Sequence, residues 1–298
     1  MNKHAYLIMA HKNWEQFLIL LKLLDDKRND IYIHVDKKSN FTDEQKNFLV
    51  SNVKASTLYF VKRTKLTWGG YSSVSVEMNL LREAVNNDHY SYYHLLSGQD
   101  LPLKNQDYIH SYFDSVCDKE LINFGTDDWI NLVSCRLKLF WFFQNLLGRS
   151  RNIFSLIIKA INKLSISIQR LLKINRIKGY TFCAGSQWFS ITDKFARYML
   201  SQNDFIHKTF KFTLCGDECL TQFLAYNSSF RDKLLICSKS NSCLSNMRYI
   251  DWKRGSPYTF VNDDFEELIN SGCLFARKFD MSIDDKIVYR IYNYLNSM

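Results

Sequence analysis

Glu218 is one of only eight glutamates in this chain, and it stands directly after Gly216 and Asp217. A carboxylate so placed can take a proton from a hydroxyl nucleophile. The expected start of a helix at this point would favour an anion through the positive end of its dipole. A capping carboxylate would satisfy the same position, so the residue types alone leave both readings open. There is no G-x-G-x-x-G and no Walker-type loop. No two aspartates lie two apart, so an Asp-x-Asp pair holding a divalent ion against a diphosphate is missing. A diphosphate leaving group would then need protein cations. The adjacent pairs Asp127-Asp128, Asp263-Asp264 and Asp284-Asp285 read as caps or solvated turns. Cys215 and Cys219 lie four apart among eight irregularly spaced cysteines, with no second pair to complete a zinc site. The cysteines read as buried thiols of a reducing compartment.

The first half of the chain alternates strand-like and helix-like segments. Strands are expected at 5–9, 31–35, 57–61 and 90–96. Helices are expected at 14–24 capped by Asn13, at 42–51 with Thr42 as cap, and from Ser72 or Ser73 to about Val85. This βαβαβαβ order predicts an α/β fold with a mostly parallel sheet and helices on both faces. Ligands of such sheets bind beyond the carboxyl ends of the strands. His11, Asp36, Trp68 and Ser97 each follow an expected strand and should meet in one crevice. Further on, strands are expected near 182–183 and 188–191 and helices near 193–201 and 217–226. With 298 residues, 46% of them hydrophobic, and only 10 Gly and 2 Pro, the chain suits one catalytic domain over 1–298. The 17 Tyr, 22 Phe and 6 Trp suit an aromatic core, or a site that stacks rings and sugars.

The net charge of +9 belongs to one segment. Residues 129–192 contain no Asp or Glu and hold ten basic residues, Arg149 and Arg151 among them. Subtracting those ten from the 39 basic residues leaves 29 against 30 acidic ones. Within it Ile153, Ile157, Ile161, Leu164, Ile168, Leu171 and Leu172 recur at helical spacing, with Lys159, Lys163 and Arg170 between them. Residues 129–180 are therefore expected to form a basic, apolar helical insertion. Two readings fit: an amphipathic helix lying on an anionic membrane surface, or a helical hairpin packed on the core. Nucleic acid is not an expected partner, because the aromatic residues cluster with aliphatics and do not alternate with the basic ones. The apolar run at 5–9 is too short for a signal-peptide core or a membrane span. The expected location is the cytoplasm, peripheral at the inner face of the membrane.

Seven ordered phrases resemble one family: IHVDKKS at 33–39, TWGG at 67–70, HLLSGQDLPLK at 94–104, GSQWF at 185–189, DE at 217–218, MRYIDW at 247–252 and FARKFD at 275–280. Together they resemble the core-2/I-branching β-1,6-N-acetylglucosaminyltransferase and peptide O-xylosyltransferase family over residues 3–281. The resemblance implies a GT-A fold and an inverting, metal-independent transfer from a UDP-sugar, with no cofactor and no divalent metal. It implies Glu218 as the catalytic base that deprotonates the acceptor hydroxyl. It implies a donor site of Asp36 on the uridine, Thr67 and Trp68 lining the same pocket, Ser186 and Trp188 near the sugar, and Arg277 and Lys278 on the diphosphate. A further diphosphate arginine of the branching enzymes has no match at its expected place, where Arg254 or Arg248 would substitute. Gln187, Asp217 and Trp252 match acceptor-side positions, and Asp100 matches a residue that holds its loop. GSQWF and ARKF lie closer to the xylosyltransferase branch, so the donor sugar is expected to be GlcNAc or xylose. The expected partners are a UDP-sugar, a glycan acceptor carried on a lipid, and an anionic membrane surface, in the setting of surface polysaccharide synthesis. The alternative is a membrane-peripheral sugar- or nucleotide-binding protein that keeps the fold without catalysis.

Overall fold

A computed structural model describes residues 2–148 and 152–298; the basic residues Arg149 and Arg151 of the acid-free segment lie outside the described residues. The first strand, β1 (His4–Ala10), alternates strictly between two cores. Ala5 and Leu7 face one, and Tyr6, Ile8 and Ala10 face the other. β2 (Asn29–Val35) and β3 (Thr57–Phe60) follow in parallel, as does β4 (Tyr92–Ser97) on the other side of β1. Both β1 and β2 are covered on both faces, which is why their sequences read as nearly continuous apolar runs. The short strands β5 (Asp100–Pro102) and β6 (Leu121–Ile122) come next, then β7 (Phe189–Thr192), β8 (Arg248–Ile250) and β9 (Phe275–Arg277).

The main sheet runs β3-β2-β1-β4-β7-β6, with β4–β7 and β7–β6 antiparallel. It is thus an α/β sheet with a parallel half and an antiparallel edge. A small sheet, β5-β9-β8, flanks it. The helices Trp14–Leu23 and Lys286–Asn296 cover one face of the main sheet; Tyr71–Asn87 and Asp193–Ser201 cover the other. Thr42 caps its helix through a reciprocal bond with Gln45.

Three local expectations are corrected. Asn13 does not cap: it adopts a left-handed conformation (φ 55°), and its amide donates to Asp280 Oδ1 at 2.7 Å. No strand forms at 182–183, because Thr181 pairs its N–H and C=O with the Asn227 side chain, both at 2.8 Å. Glu218 ends a short 3₁₀ turn, Gly216–Glu218, and the helix proper begins at Leu220.

The acid-free segment fills the connection between β6 and β7 and contains the helix Ile153–Leu171. Two of its basic residues are internal. Arg136 reaches Glu218. Arg176 donates to the carbonyls of Leu139, Thr209 and Phe212, and burial lowers its pKa to about 10. Among the described residues no helix is long and apolar enough to cross a membrane.

Candidate functional site

The strand order reverses between β1 and β4, and the loops beyond their carboxyl ends are drawn together there. Asp36 N–H donates to Ala10 O and Gly98 N–H to Met9 O, both at 3.0 Å. Ser39 Oγ donates to His11 O at 2.6 Å. Asp36 is buried, and its Oδ1 accepts from the N–H groups of Lys38 (3.0 Å) and Leu66 (3.3 Å). That carboxylate therefore ties the end of β2 to the segment carrying Thr67 and Trp68. Burial, then the charges of Lys12 and Arg277, lowers the pKa of His11, and Asp36 opposes them. His11, Asp36 and Arg277 thus share one electrostatic neighbourhood. Thr67 N–H donates to Ser72 Oγ at 2.8 Å, and the Trp68 indole is half exposed. Gly69 has φ +69°, and a Cβ there would lie 3.1 Å from both Gln144 Nε2 and Leu214 Cδ1, so the turn needs glycine.

Arg277 leaves the end of β9 and stacks over the Trp188 indole at 4.4 Å. Its Nη1 donates to Asp100 Oδ1 at 2.6 Å and to Ser97 Oγ. Asp100 also accepts from Ser97 N–H at 2.9 Å, so this carboxylate fixes both the loop after β4 and the guanidinium. One nitrogen of Arg277 is committed in this way, and a guanidinium has five N–H donors. Lys278 follows, its backbone bonded to Tyr258 O and Phe260 N–H.

The two arginines offered as substitutes are corrected. Arg254 is spent on Asp251, Asp264 and Glu267 and packs on Tyr258, which makes it a strut behind this strand. Arg248 is buried and donates to the carbonyls of Asn246 (2.6 Å) and Phe189 (2.5 Å), which clamps β8 to β7. Neither has a guanidinium to spare for a ligand.

The acidic corner is joined to the segment that carries Trp188 through Gly185. Arg136 Nη1 meets Glu218 Oε2 at 2.5 Å. Burial lowers the Arg136 pKa, but the charge of Glu218, its hydrogen bond and the nearby Cys215 and Cys219 together more than reverse it. The Glu218 carbonyl accepts from Gly185 N–H at 2.9 Å. A Cβ on Gly185 would meet Asn123 O at 2.0 Å, so only glycine permits this approach. Ser186 is held by Asn123 and Gln222. Gln187 is turned inward: its amide contacts Met9 Sδ at 3.7 Å and lies close enough to Glu77 to oppose the rise in that carboxyl's pKa. Trp252 is half exposed in the turn after β8.

Asp217 and Glu77 form a second, buried layer. Asp217 Oδ1 and Glu77 Oε2 have no hydrogen-bond partner among the described residues. Burial first, and the charge of Glu218 second, pushes the Asp217 pKa up to about 7. Burial and then Asp217 raise Glu77 well above the carboxylate range. Asp217, expected on the acceptor side, is therefore an inward-facing group beneath Glu218. Its folded pKa exceeds its ordinary value of 3.8, so the folded chain binds more protons than the unfolded one between those values. Its contribution to stability falls as pH rises from 3.8 through about 7. Asp217→Asn should match the wild type in Tm at the acid end of that window and exceed it progressively toward neutrality. A pH series of thermal melts checks this; parallel profiles would rule it out.

Sequence reasoning missed two residues of this corner. Arg136 counted only as one of ten basic residues, and nothing local links it to a partner 82 positions away. Glu77 was detectable, because it falls on the apolar face of its helix with Val74, Met78 and Leu81.

A family model for the Core-2/I-Branching enzyme matches residues 4–270. Xylosyltransferase 1 of Mus musculus is 22% identical over 317 residues, covering 98% of this chain and 30% of that protein. The chain spans about a third of the length of the curated relatives it matches. Among solved structures, the apo form of mouse xyloside xylosyltransferase 1 aligns at 9% identity and a TM-score of 0.41, over 93% of this chain and 97% of that one. Core-mannan synthase A from Aspergillus fumigatus, in an Mn/GDP form, aligns at 13% identity and a TM-score of 0.37, over 77% of this chain and 71% of that one.

The expectation of a donor site without divalent metal stands against that neighbour, which was solved in an Mn/GDP form. A missing Asp-x-Asp does not by itself exclude a metal, since carboxylates from separate segments, water and the diphosphate itself can all supply oxygen ligands. Among the described residues no group of three His, Cys, Asp or Glu side chains is placed to hold an ion. With residues 4–270 matched, this chain belongs to the Core-2/I-Branching enzyme family of glycosyltransferases, enzymes that transfer a sugar.

Proposed function

We propose that this chain transfers xylose or GlcNAc from a UDP-sugar to a hydroxyl of a glycan acceptor, with inversion at the anomeric carbon. One observation carries the reading. The segment 185–188 links two charged groups: Gly185 bonds the backbone of Glu218, whose carboxylate is braced by Arg136, and Trp188 stacks on Arg277, which Asp100 fixes. A displacement needs this separation of charge: an anion where the nucleophile loses its proton and a cation where the leaving phosphate gathers charge. The acceptor O–H gives its proton to Glu218, its oxygen bonds to the anomeric carbon, and the bond from that carbon to the phosphate oxygen breaks. Arg277 and Lys278 receive the UDP charge. Asp36 binds the uridine, with Thr67 and Trp68 beside it. Ser186 and Trp188 flank the sugar, and Trp252 offers the acceptor a ring to stack on. The outward apolar face of the helix Ile153–Leu171 supports an acceptor carried on a lipid at an anionic membrane surface, as in surface polysaccharide synthesis on the cytoplasmic side. A panel of UDP-sugars, each incubated with a hydroxyl acceptor in buffers with and without manganese, tests the reading. UDP should be released in step with glycosylated product. UDP binding without turnover in every buffer would favour a binding protein instead.

A further inference from the structure

The helix Ile153–Leu171 faces the wrong way for a helix that ends in water. The side it turns to the protein carries Ser155, Asn162 and Gln169 alternating with Ile158 and Ile166. The side it turns outward carries Phe154, Ile157, Ile161, Leu164, Ile168 and Leu171, between 47% and 82% exposed. An unpartnered apolar stripe of this length marks an interaction surface.

Beneath the helix, between it and Trp68, lies a cavity of about 350 Å³. Its walls are largely apolar, with Trp141, Leu147, Ile166 and Leu214 around the Trp68 indole. Lys159, Lys163 and Arg170 line it as well, spaced four and seven residues apart along one face of the helix. Asn162 also lines the cavity; it is 3% exposed, and neither its Nδ2 nor its Oδ1 has a hydrogen-bond partner among the described residues. A buried amide is costly to leave without a partner. Here it lies among cations in a pocket that can hold one.

We propose that this cavity receives the phosphate or diphosphate head of the acceptor's lipid anchor, and that the hydrocarbon chain lies along the outward face of the helix. The cations and the buried Asn162 amide supply donors for phosphate oxygens, and the apolar walls suit the start of the hydrocarbon chain. This rests on the transfer reading above and gives it a direction. Leu214, in the cavity wall, donates its N–H to Arg136 O at 3.3 Å, and Arg136 holds Glu218. The anchor phosphate therefore sits a short reach from the base, so the hydroxyl that reacts belongs to a sugar close to the lipid.

Vesicle flotation tests this with phosphatidylcholine alone, with phosphatidylglycerol added, and with a polyprenyl phosphate added at matched charge. The wild type should prefer the polyprenyl phosphate vesicles, and inorganic diphosphate should compete. Lys163→Ala/Arg170→Ala should weaken that binding roughly thirtyfold, the loss expected for two cations near an anionic lipid head. Asn162→Leu, which fills the cavity with apolar atoms, should abolish the preference while UDP binding stays intact. Equal binding to both anionic vesicles, or variants that bind as the wild type does, would overturn the assignment. Turnover of a UDP-sugar onto a soluble acceptor separates the two readings. If turnover persists while the lipid result fails, only the cavity assignment falls. If even the wild type gives no turnover, the transfer reading falls and the flotation result still decides the cavity.

Discussion

Glu218→Gln should lower kcat by roughly 10²–10⁴, the range expected when a positioned general base is removed, with little change in UDP affinity. The substitution keeps the volume of the side chain and an oxygen that can accept from Arg136 Nη1, now at 2.5 Å. The 3₁₀ turn and the Gly185 N–H bond to the Glu218 carbonyl are backbone features and survive it. What disappears is the capacity to take a proton. Asp217 is next in sequence but cannot replace it, because its Oδ1 is turned into the buried layer with Glu77, out of reach of an acceptor hydroxyl. A fall in kcat and kcat/KM together, with KM steady, identifies an interaction made only in the transition state. Steady-state kinetics beside a UDP titration measure both quantities.

Asp100→Ala should cost about 3 kcal/mol, the low end of what is lost when one partner of a buried ion pair is removed. The Asp100 side chain is 3% exposed and that of Arg277 19%. The substitution strands the guanidinium and also removes the acceptor for Ser97 N–H. Arg277→Ala should destabilise less, since Asp100 keeps its bonds to Ser97. The double variant should lose less than the two single losses combined, because the shared interaction is counted once. Urea denaturation of all four proteins gives the coupling. A loss under about 1 kcal/mol for Asp100→Ala would class the pair with solvated surface bridges.

The parallel half of the fold was legible because β1, β2 and β3 are short strands rich in apolar residues, each followed by a helix before the next strand. Thr42 was legible as a cap because both partners of its capping box lie within four residues. Asn13 was not, because its side chain answers to Asp280, 267 positions away. The misplaced strand at 182–183 has the same kind of cause: the Asn227 amide supplies the bonds that a neighbouring strand would have given.

At the site, the motifs marked the backbone positions well. Asp36, Trp68, Ser97, Trp188 and Arg277 are all tied to the loops at one end of the sheet. What the motifs could not indicate is which charges are already paired. Arg254 was only a substitute for a diphosphate arginine that has no match in the sequence, and it is locked among three carboxylates. Arg136, without a motif, holds Glu218. The periodicity of the helix Ile153–Leu171 was correct, but period alone does not say which side faces the protein.

The central claim is that one carboxylate, Glu218, deprotonates an acceptor that displaces the nucleotide in a single step. The anomeric configuration of the first-formed product, read by proton NMR coupling from a donor of known configuration, tests it most directly. Inversion is the result this geometry predicts. Retention would contradict it, because a product of unchanged configuration needs a double displacement or same-face attack, and Glu218 is placed here as a base for one opposite-face attack.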